Sequence, residues 1–438
     1  MTADALDLAG IGIGPFNLSL AAQLDSAPAV SARFFDRRME FAWHPGMMLF
    51  GVEMQTSILK DLVTATNPTS PWSFISYLVA HRRFYQFLNA EYEAVPRREF
   101  ADYLGWVARG LPSLTFGAAV EEVRAMDRGF SLRVGEETVP ARNLSIGVGK
   151  VPGLPGWAEA LPETMAFHSS DAVRRLRDLR SGRVAVIGGG QSGAEIVDAL
   201  LDRPDMAVEW VSRRPNFEPL DATPFTNEIF TPAYVRDFHR LPEGLRIAHT
   251  RRQLLASDGI SATTLRKLYR RLYEEKLSSP SPNSREVSLR PHRNVIAAER
   301  NGSSIRLTMQ NGFDGGVEQV AVDAVILATG YRFVLPSFAD SLKPRIAVNS
   351  LGEPVLAEDF SLVWDGPADN RIFVLNAGRH SHGIAEPQLS LAAWRSAVIA
   401  NALLGREQFN VGQPQPIVRW ASGRADLPNA SYLGEAAE

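Results

Sequence analysis

Cysteine is absent from all 438 residues, and this absence excludes more chemistry than any other feature of the composition. It rules out disulfides, thiolate metal sites and any mechanism that passes electrons through a redox-active cysteine pair. Long apolar runs are missing too, so no segment is expected to span a bilayer, and the start Met1, Thr2, Ala3, Asp4 lacks the basic residues of a signal peptide. A cytoplasmic location is expected. A net charge of -3 makes no electrostatic case for nucleic acid or an anionic membrane surface. The eight histidines contain no helix-spaced pair of metal ligands, and no metal is expected. What remains is a chain of 45% hydrophobic and 22% charged residues, ordinary for a globular protein and long enough for about two or three domains.

Near its middle, Val184, Ala185, Val186 and Ile187 read as a strand of mostly β-branched residues that runs into Gly188, Gly189, Gly190, Gln191, Ser192 and Gly193. A helix is predicted from Ala194 to Leu201. In such a turn Gly188 allows the bend, Gly190 admits a pyrophosphate and Gly193 lets helix and strand pack closely, with the phosphate facing the helix N-terminus. The next strand, Val208 to Ser212, ends in Arg213 and Arg214, where an NAD site carries an acid. Arginines there suit a 2′-phosphate, which points to NADPH.

A second signature opens the chain: Gly10, Gly12 and Gly14 followed by Pro15, in the place of the last glycine. Proline is tolerated there because the first N–H groups of a helix have no intrahelical partner. The strand Ala32 to Asp36 ends in an acid placed to accept from a ribose hydroxyl, as the adenosine half of FAD requires. Opposite second-strand endings, an acid and then arginines, imply two different dinucleotides. A weak internal repeat agrees, with β-rich stretches closing on Gly147 to Gly149 and on Thr329 and Gly330.

The fold expected is α/β, with two Rossmann-like dinucleotide-binding domains, the second inserted into the first, and a small helical insertion. Residues 1–170 and 326–438 are assigned to FAD, 171–220 and 288–325 to NADPH, and 221–287 to the substrate insertion. That insertion carries a helix from Ala262 to Leu277 whose Leu265, Leu268, Tyr269 and Leu272 share a packing face. Trp43, Trp72 and Trp106 are expected in the core. A last helix, Leu391 to Leu404, is stopped by Gly405, and its N-terminus is suited to stabilise negative charge on a reduced flavin.

Taken together, the segments Gly10 to Ser19, Trp43 to Met47, Leu59 to Val63, Gly188 to Gly193, Ala328 to Arg332 and His382 to Ser390 resemble the flavin-dependent N-hydroxylating monooxygenases of siderophore biosynthesis, which act on lysine, ornithine and diamines. The likeness runs over nearly the whole chain. It implies FAD in the first cradle with His44 and Gln55 beside it, Lys60 and Asn227 at the substrate, Arg213 selecting NADPH, and Glu386 and Ser390 in the segment that closes on flavin and substrate. Ornithine enzymes tend to carry an Asp-Thr-Leu-Leu-Ser type segment where this chain has Glu386, Pro387, Gln388, Leu389 and Ser390, so it looks more like the lysine and diamine branch.

The reaction implied is hydroxylation of a terminal amine with O₂ and NADPH. An alkylammonium with a pKa of about 10.4 is not nucleophilic, so the site must favour the neutral amine. No dedicated base stands out. Asp221, Glu228, Asp258 and Glu386 form an acidic surplus that favours a dication such as putrescine or cadaverine. L-Lysine is the alternative, with Lys60 on its carboxylate, and ornithine comes third. A homo-oligomer is expected. Two other classes compete. A Baeyer–Villiger or general flavin monooxygenase is faintly suggested by Phe167, His168, Ser169 and Ser170, but has no place for the Lys60 and Glu386 segments. A non-catalytic NADPH sensor would purify colourless.

Overall fold

The structure is a computed structural model, described here for residues 5–278, 286–412 and 416–422. The first unit is built on β1 (Leu6–Ile11), β2 (Ala32–Asp36), β3 (Leu114–Phe116), β4 (Val120–Ala125), β5 (Phe130–Val134) and β6 (Glu137–Ile146), in the spatial order β3-β2-β1-β6-β5-β4. The ten-residue β6 pairs with β1 in parallel and with two more strands besides. Its first half pairs antiparallel with β5, while Leu144 to Ile146 pair in parallel with a strand from much later in the chain, Ile372–Val374. On one face, Leu18, Ala21, Tyr103, Leu104, Ala397 and Ala400 bring three helices (Pro15–Leu24, Arg97–Gly110 and Ala392–Leu404) into one core, against which Trp43, Trp72 and Trp106 pack. The last helix stops at Gly405, in the left-handed region at φ 65°.

The chain crosses to the second unit through β7 (Val151–Pro152). There β8 (Ala166–His168), β9 (Gly182–Ile187), β10 (Met206–Val211), β11 (Val287–Arg290) and a strand at Ala324–Leu327 make an all-parallel sheet with β9 central. Between β11 and Ala324 lies an antiparallel meander, β12 (Arg293–Asn301), β13 (Ser304–Asn311) and β14 (Val317–Val322), leading into β15 (Ala324–Leu327). The return crossing, β16 (Tyr331–Arg332), runs antiparallel to β7, so both crossings form one ribbon, and β17 (Ile372–Val374) rejoins the first sheet. Strands of the first sheet thus flank those of the second along the chain, and the strand pairings do not fall at the expected edges. Strand β8 pairs with β15, so residues 166–168 belong to the second sheet and not to the first unit, and the expected edge at 325 falls inside β15.

The helical insertion is present as Pro224–Asn227, Pro232–His239, Glu243–Arg252, Leu254–Asp258 and Ala262–Ser278. In the last of these Leu268 is buried and Leu265 and Leu272 are packed, but Tyr269 is 74% exposed. The contact stripe is narrower than a full amphipathic face because the helix rests along one neighbour, Gln191–Leu200, to which Lys267 and Arg271 are tied through Asp198. That neighbour begins at Gln191, ahead of the expected Ala194. Among the described residues no helix is long and apolar enough to cross a membrane.

Candidate active site between two dinucleotide cradles

Each sheet ends in a glycine turn feeding a helix whose first turn has no side-chain cap: Gly14 precedes Pro15–Leu24, and Gly190 precedes Gln191–Leu200. Uncapped N–H groups at a helix start need acceptors, and a pyrophosphate supplies them. Gly12 takes φ 84°, and a Cβ there would sit 2.8 Å from the Val148 backbone; Gly188 takes φ 137°, and a Cβ there would sit 2.1 Å from the Ala328 carbonyl oxygen. In both halves, then, the glycine turn lies against the segment that crosses to the other unit. Gly10 and Gly193 serve close approach, to the Phe34 ring and to the Gly188 carbonyl. Asn17, which sequence reasoning passed over, is fully buried and pins the first turn by donating to the carbonyl of Gly12 at 2.8 Å. Both cradles fit a dinucleotide.

Asp36 does not stand free for a ribose. Its carboxylate accepts from the Ile13 N–H at 2.8 Å and from the backbone and guanidinium of Arg38, and it is 6% exposed. Burial works to raise its pKa, but the Arg38 and Ile13 hydrogen bonds outweigh it and hold the carboxyl below its ordinary value. The acid at the end of β2 is a strut for the glycine turn. In the second unit the two arginines divide. Arg214 donates to the carbonyls of Asp258 and Gly189, whereas Arg213 is exposed and has no partner among the described residues, free for a phosphate. Ser192, in the first turn of Gln191–Leu200, is half-exposed. Thr329 and Gly330 stand at the ribbon: the Thr329 hydroxyl donates to the Gly153 carbonyl, and the Gly330 carbonyl faces His168 Nε2 at 3.0 Å.

Several of the remaining expected site residues lie where flavin-side loops meet the second unit and the helical insertion. His44, exposed and at φ 44°, turns the chain into Pro45–Met47. Gln55 Nε2 donates to Gln191 Oε1 at 3.4 Å, joining the flavin-side loop to the NADPH cradle. Lys60 is half-buried, with its Nζ 6.0 Å from the centre of the Phe230 ring and no ionic partner among the described residues; burial lowers its pKa. Phe230 lies three residues beyond Asn227, which is exposed and donates to the Ala222 carbonyl at 3.3 Å. Ser390 is buried, and its hydroxyl has no partner among the described residues. Glu386 is a correction. Its carboxylate accepts from the N–H groups of Asn376 and Gly378 and from Arg395 at 2.8 Å, with both charged groups buried. It is tied to the backbone of its own segment and to Arg395, and holds the segment in shape.

Two further features escaped the sequence. Lys150, just past Gly149, is a half-buried cation at the crossing, its pKa lowered by burial. Arg97 forms a bidentate pair with Glu195 across the two units. Only Glu195 left a trace in the sequence, as an acid on the face of a dinucleotide-binding helix that should be apolar.

Residues 4–333 match the family described as L-lysine 6-monooxygenase/L-ornithine 5-monooxygenase. The chain belongs to this family. Like its members, it is a flavin-dependent N-hydroxylating monooxygenase using FAD and NADPH, and its two cradles have the form such an enzyme needs. The chain is 42% identical to the L-lysine N6-monooxygenase of Escherichia coli, over 96% of this chain and 99% of that one. Its fold matches the FAD-bound cadaverine monooxygenase of desferrioxamine biosynthesis from Erwinia amylovora with a TM-score of 0.89 at 28% identity, covering 97% and 99% of the two chains. It matches the Kutzneria ornithine N-hydroxylase, solved with reduced FAD, NADP⁺ and L-ornithine, with a TM-score of 0.84 at 32% identity, covering 92% and 99%.

Proposed function

We propose that this monooxygenase hydroxylates the ε-amine of L-lysine in hydroxamate siderophore biosynthesis. The observation that carries the reading is the ionic state of the cleft. Lys60 is a half-buried cation without an ionic partner among the described residues, while the acids that favoured a diamine are mostly occupied: Glu386 by Arg395, Asp258 by Arg379 at 2.5 Å, and Asp221 by the hydroxyls of Thr223 and Thr226. An unpaired cation in a partly desolvated site favours a substrate that brings a carboxylate. The 42% identity to a lysine enzyme agrees.

In this reading Lys60 binds the carboxylate and Asn227 and Ser390 orient the chain of the amine. Residues 44–62 and 386–390 close the cleft against water, and this exclusion of water favours the uncharged form of the reacting amine. Bound FAD, reduced by NADPH, supplies the activation of oxygen. Arg213 selects NADPH.

A second reading keeps the diamine. It is favoured by Glu228, whose carboxylate has no partner among the described residues, and by the fold match to a cadaverine enzyme. The two are separated by kcat/KM for hydroxylamine formation from lysine, cadaverine, putrescine and ornithine at saturating NADPH and O₂. Lysine should lead; a lead of about tenfold for either diamine, near 1.4 kcal/mol, overturns the assignment.

A further inference from the structure

The segment that follows His44 leaves the first unit and enters the second. Met47 is buried among Val184, Val186, Ala194 and Ile196 of the second core, with Leu49 packed beside it. Gly46 makes this possible, since a Cβ there would lie 1.7 Å from the Ser170 carbonyl oxygen. Next to this plug, Arg97 reaches out from the start of its helix. Its Nη2 donates to Glu195 Oε1 at 2.6 Å, and its Nη1 to Glu195 Oε2 at 2.9 Å and to the Met47 carbonyl at 3.0 Å. The side chains are 14% and 4% exposed. Glu195 also accepts from Gln191 Nε2 at 3.0 Å, and Gln191 Oε1 in turn accepts from Gln55.

A buried ion pair is a poor source of stability compared with apolar packing, because both charges must be desolvated. What a bidentate pair does supply is direction, since it holds in one relative orientation of its two carriers. Here the carriers are the flavin unit and the helix of the NADPH cradle. We propose that Arg97 and Glu195 are a positioning pair that, with the Met47 plug, fixes the orientation in which the NADPH cradle faces the flavin cradle. The inference rests on the two-cofactor reading of the cradles and not on the identity of the amine.

The test uses Arg97→Gln, Glu195→Gln and the double variant Arg97→Met/Glu195→Met, which restores apolar packing without direction. In the ligand-free proteins, backbone amide exchange at 44–49 and 169–172 should be faster by about tenfold or more, with the sheets unchanged. In the FAD-loaded enzymes without amine or oxygen, the limiting rate of flavin reduction by NADPH should fall by about tenfold to a hundredfold, with FAD content unchanged and NADPH affinity within about threefold. The double variant should recover melting temperature but not this rate. A limiting rate within about twofold of wild type overturns the proposal whatever the exchange shows, and so does a rate restored by the apolar pair. If the single variants fail to fold, Arg97→Lys keeps the charge, loses the second hydrogen bond and should show the same split. Wild-type enzyme that NADPH did not reduce would count against the cofactor reading instead.

Discussion

Replacing Glu386 by glutamine removes one charge from a buried pair and leaves Arg395 beside a neutral amide. Arg395 is enclosed, its guanidinium stacked 4.0 Å from the Phe16 ring centre, and among the described residues its one anionic partner is Glu386. Removing one member of such a pair costs about 3–5 kcal/mol, since the other charge stays buried. The amide keeps one acceptor oxygen, so its NH2 must also face one of the two N–H groups, of Asn376 or Gly378, that the carboxylate now accepts. With about 2–4 °C per kcal/mol for a unit of this size, Glu386→Gln should melt roughly 6–20 °C below wild type. The double variant Glu386→Leu/Arg395→Met should recover the share due to the stranded charge and not the share due to the two backbone donors. The assay is thermal unfolding followed by tryptophan fluorescence, with steady-state kinetics on the same preparations. A Glu386→Gln enzyme that melts within about 2 °C of wild type while its amine KM rises severalfold would show the carboxylate to be a substrate ligand, and the reasoning about its pairing would be wrong.

Coenzyme choice separates the two arginines: Arg213→Ala should weaken NADPH by about 1.5–3 kcal/mol and leave NADH unchanged, whereas Arg214→Ala, which frees the carbonyls of Gly189 and Asp258, should weaken both coenzymes alike. Equal use of the two coenzymes by wild type would refute the first half. Because Asp36 has its pKa lowered in the folded state, its contribution to stability is full above the unfolded value of about 3.9 and is lost as pH falls through the lowered folded value. The gap in melting temperature between wild type and Asp36→Asn should therefore be constant above about pH 5 and close on further acidification; a gap that widens on acidification contradicts the strut role.

The two cradles were legible because glycine at a positive φ is a local requirement that leaves a local mark, as at Gly12 and Gly188. The strand end at which Arg213 stands was legible because β10 is a run of mostly apolar residues. The acids were misread because a sequence shows a carboxylate but not what desolvates it. Asp36 is spent on Arg38, two residues away, and Glu386 on Arg395, nine residues away on the next helix. Both look the same as a free acid in one dimension. The edge of the second unit was missed because β8 is three residues long, too short to show a period, and is defined only by pairing with β15. Met47 belongs by sequence to one unit and by packing to the other.

Cadaverine is lysine without its carboxylate, so comparing the two amines on one pair of enzymes tests the role of Lys60 directly. The measurement is kcat/KM for lysine and for cadaverine in wild type and in Lys60→Met. Loss of a charge-assisted contact of about 1.5–3 kcal/mol should lower the lysine value by roughly tenfold to a hundredfold, while cadaverine stays within about threefold. Equal losses for both amines, or a lysine value that survives the substitution, would contradict the assignment of Lys60 to the carboxylate and of lysine as the substrate.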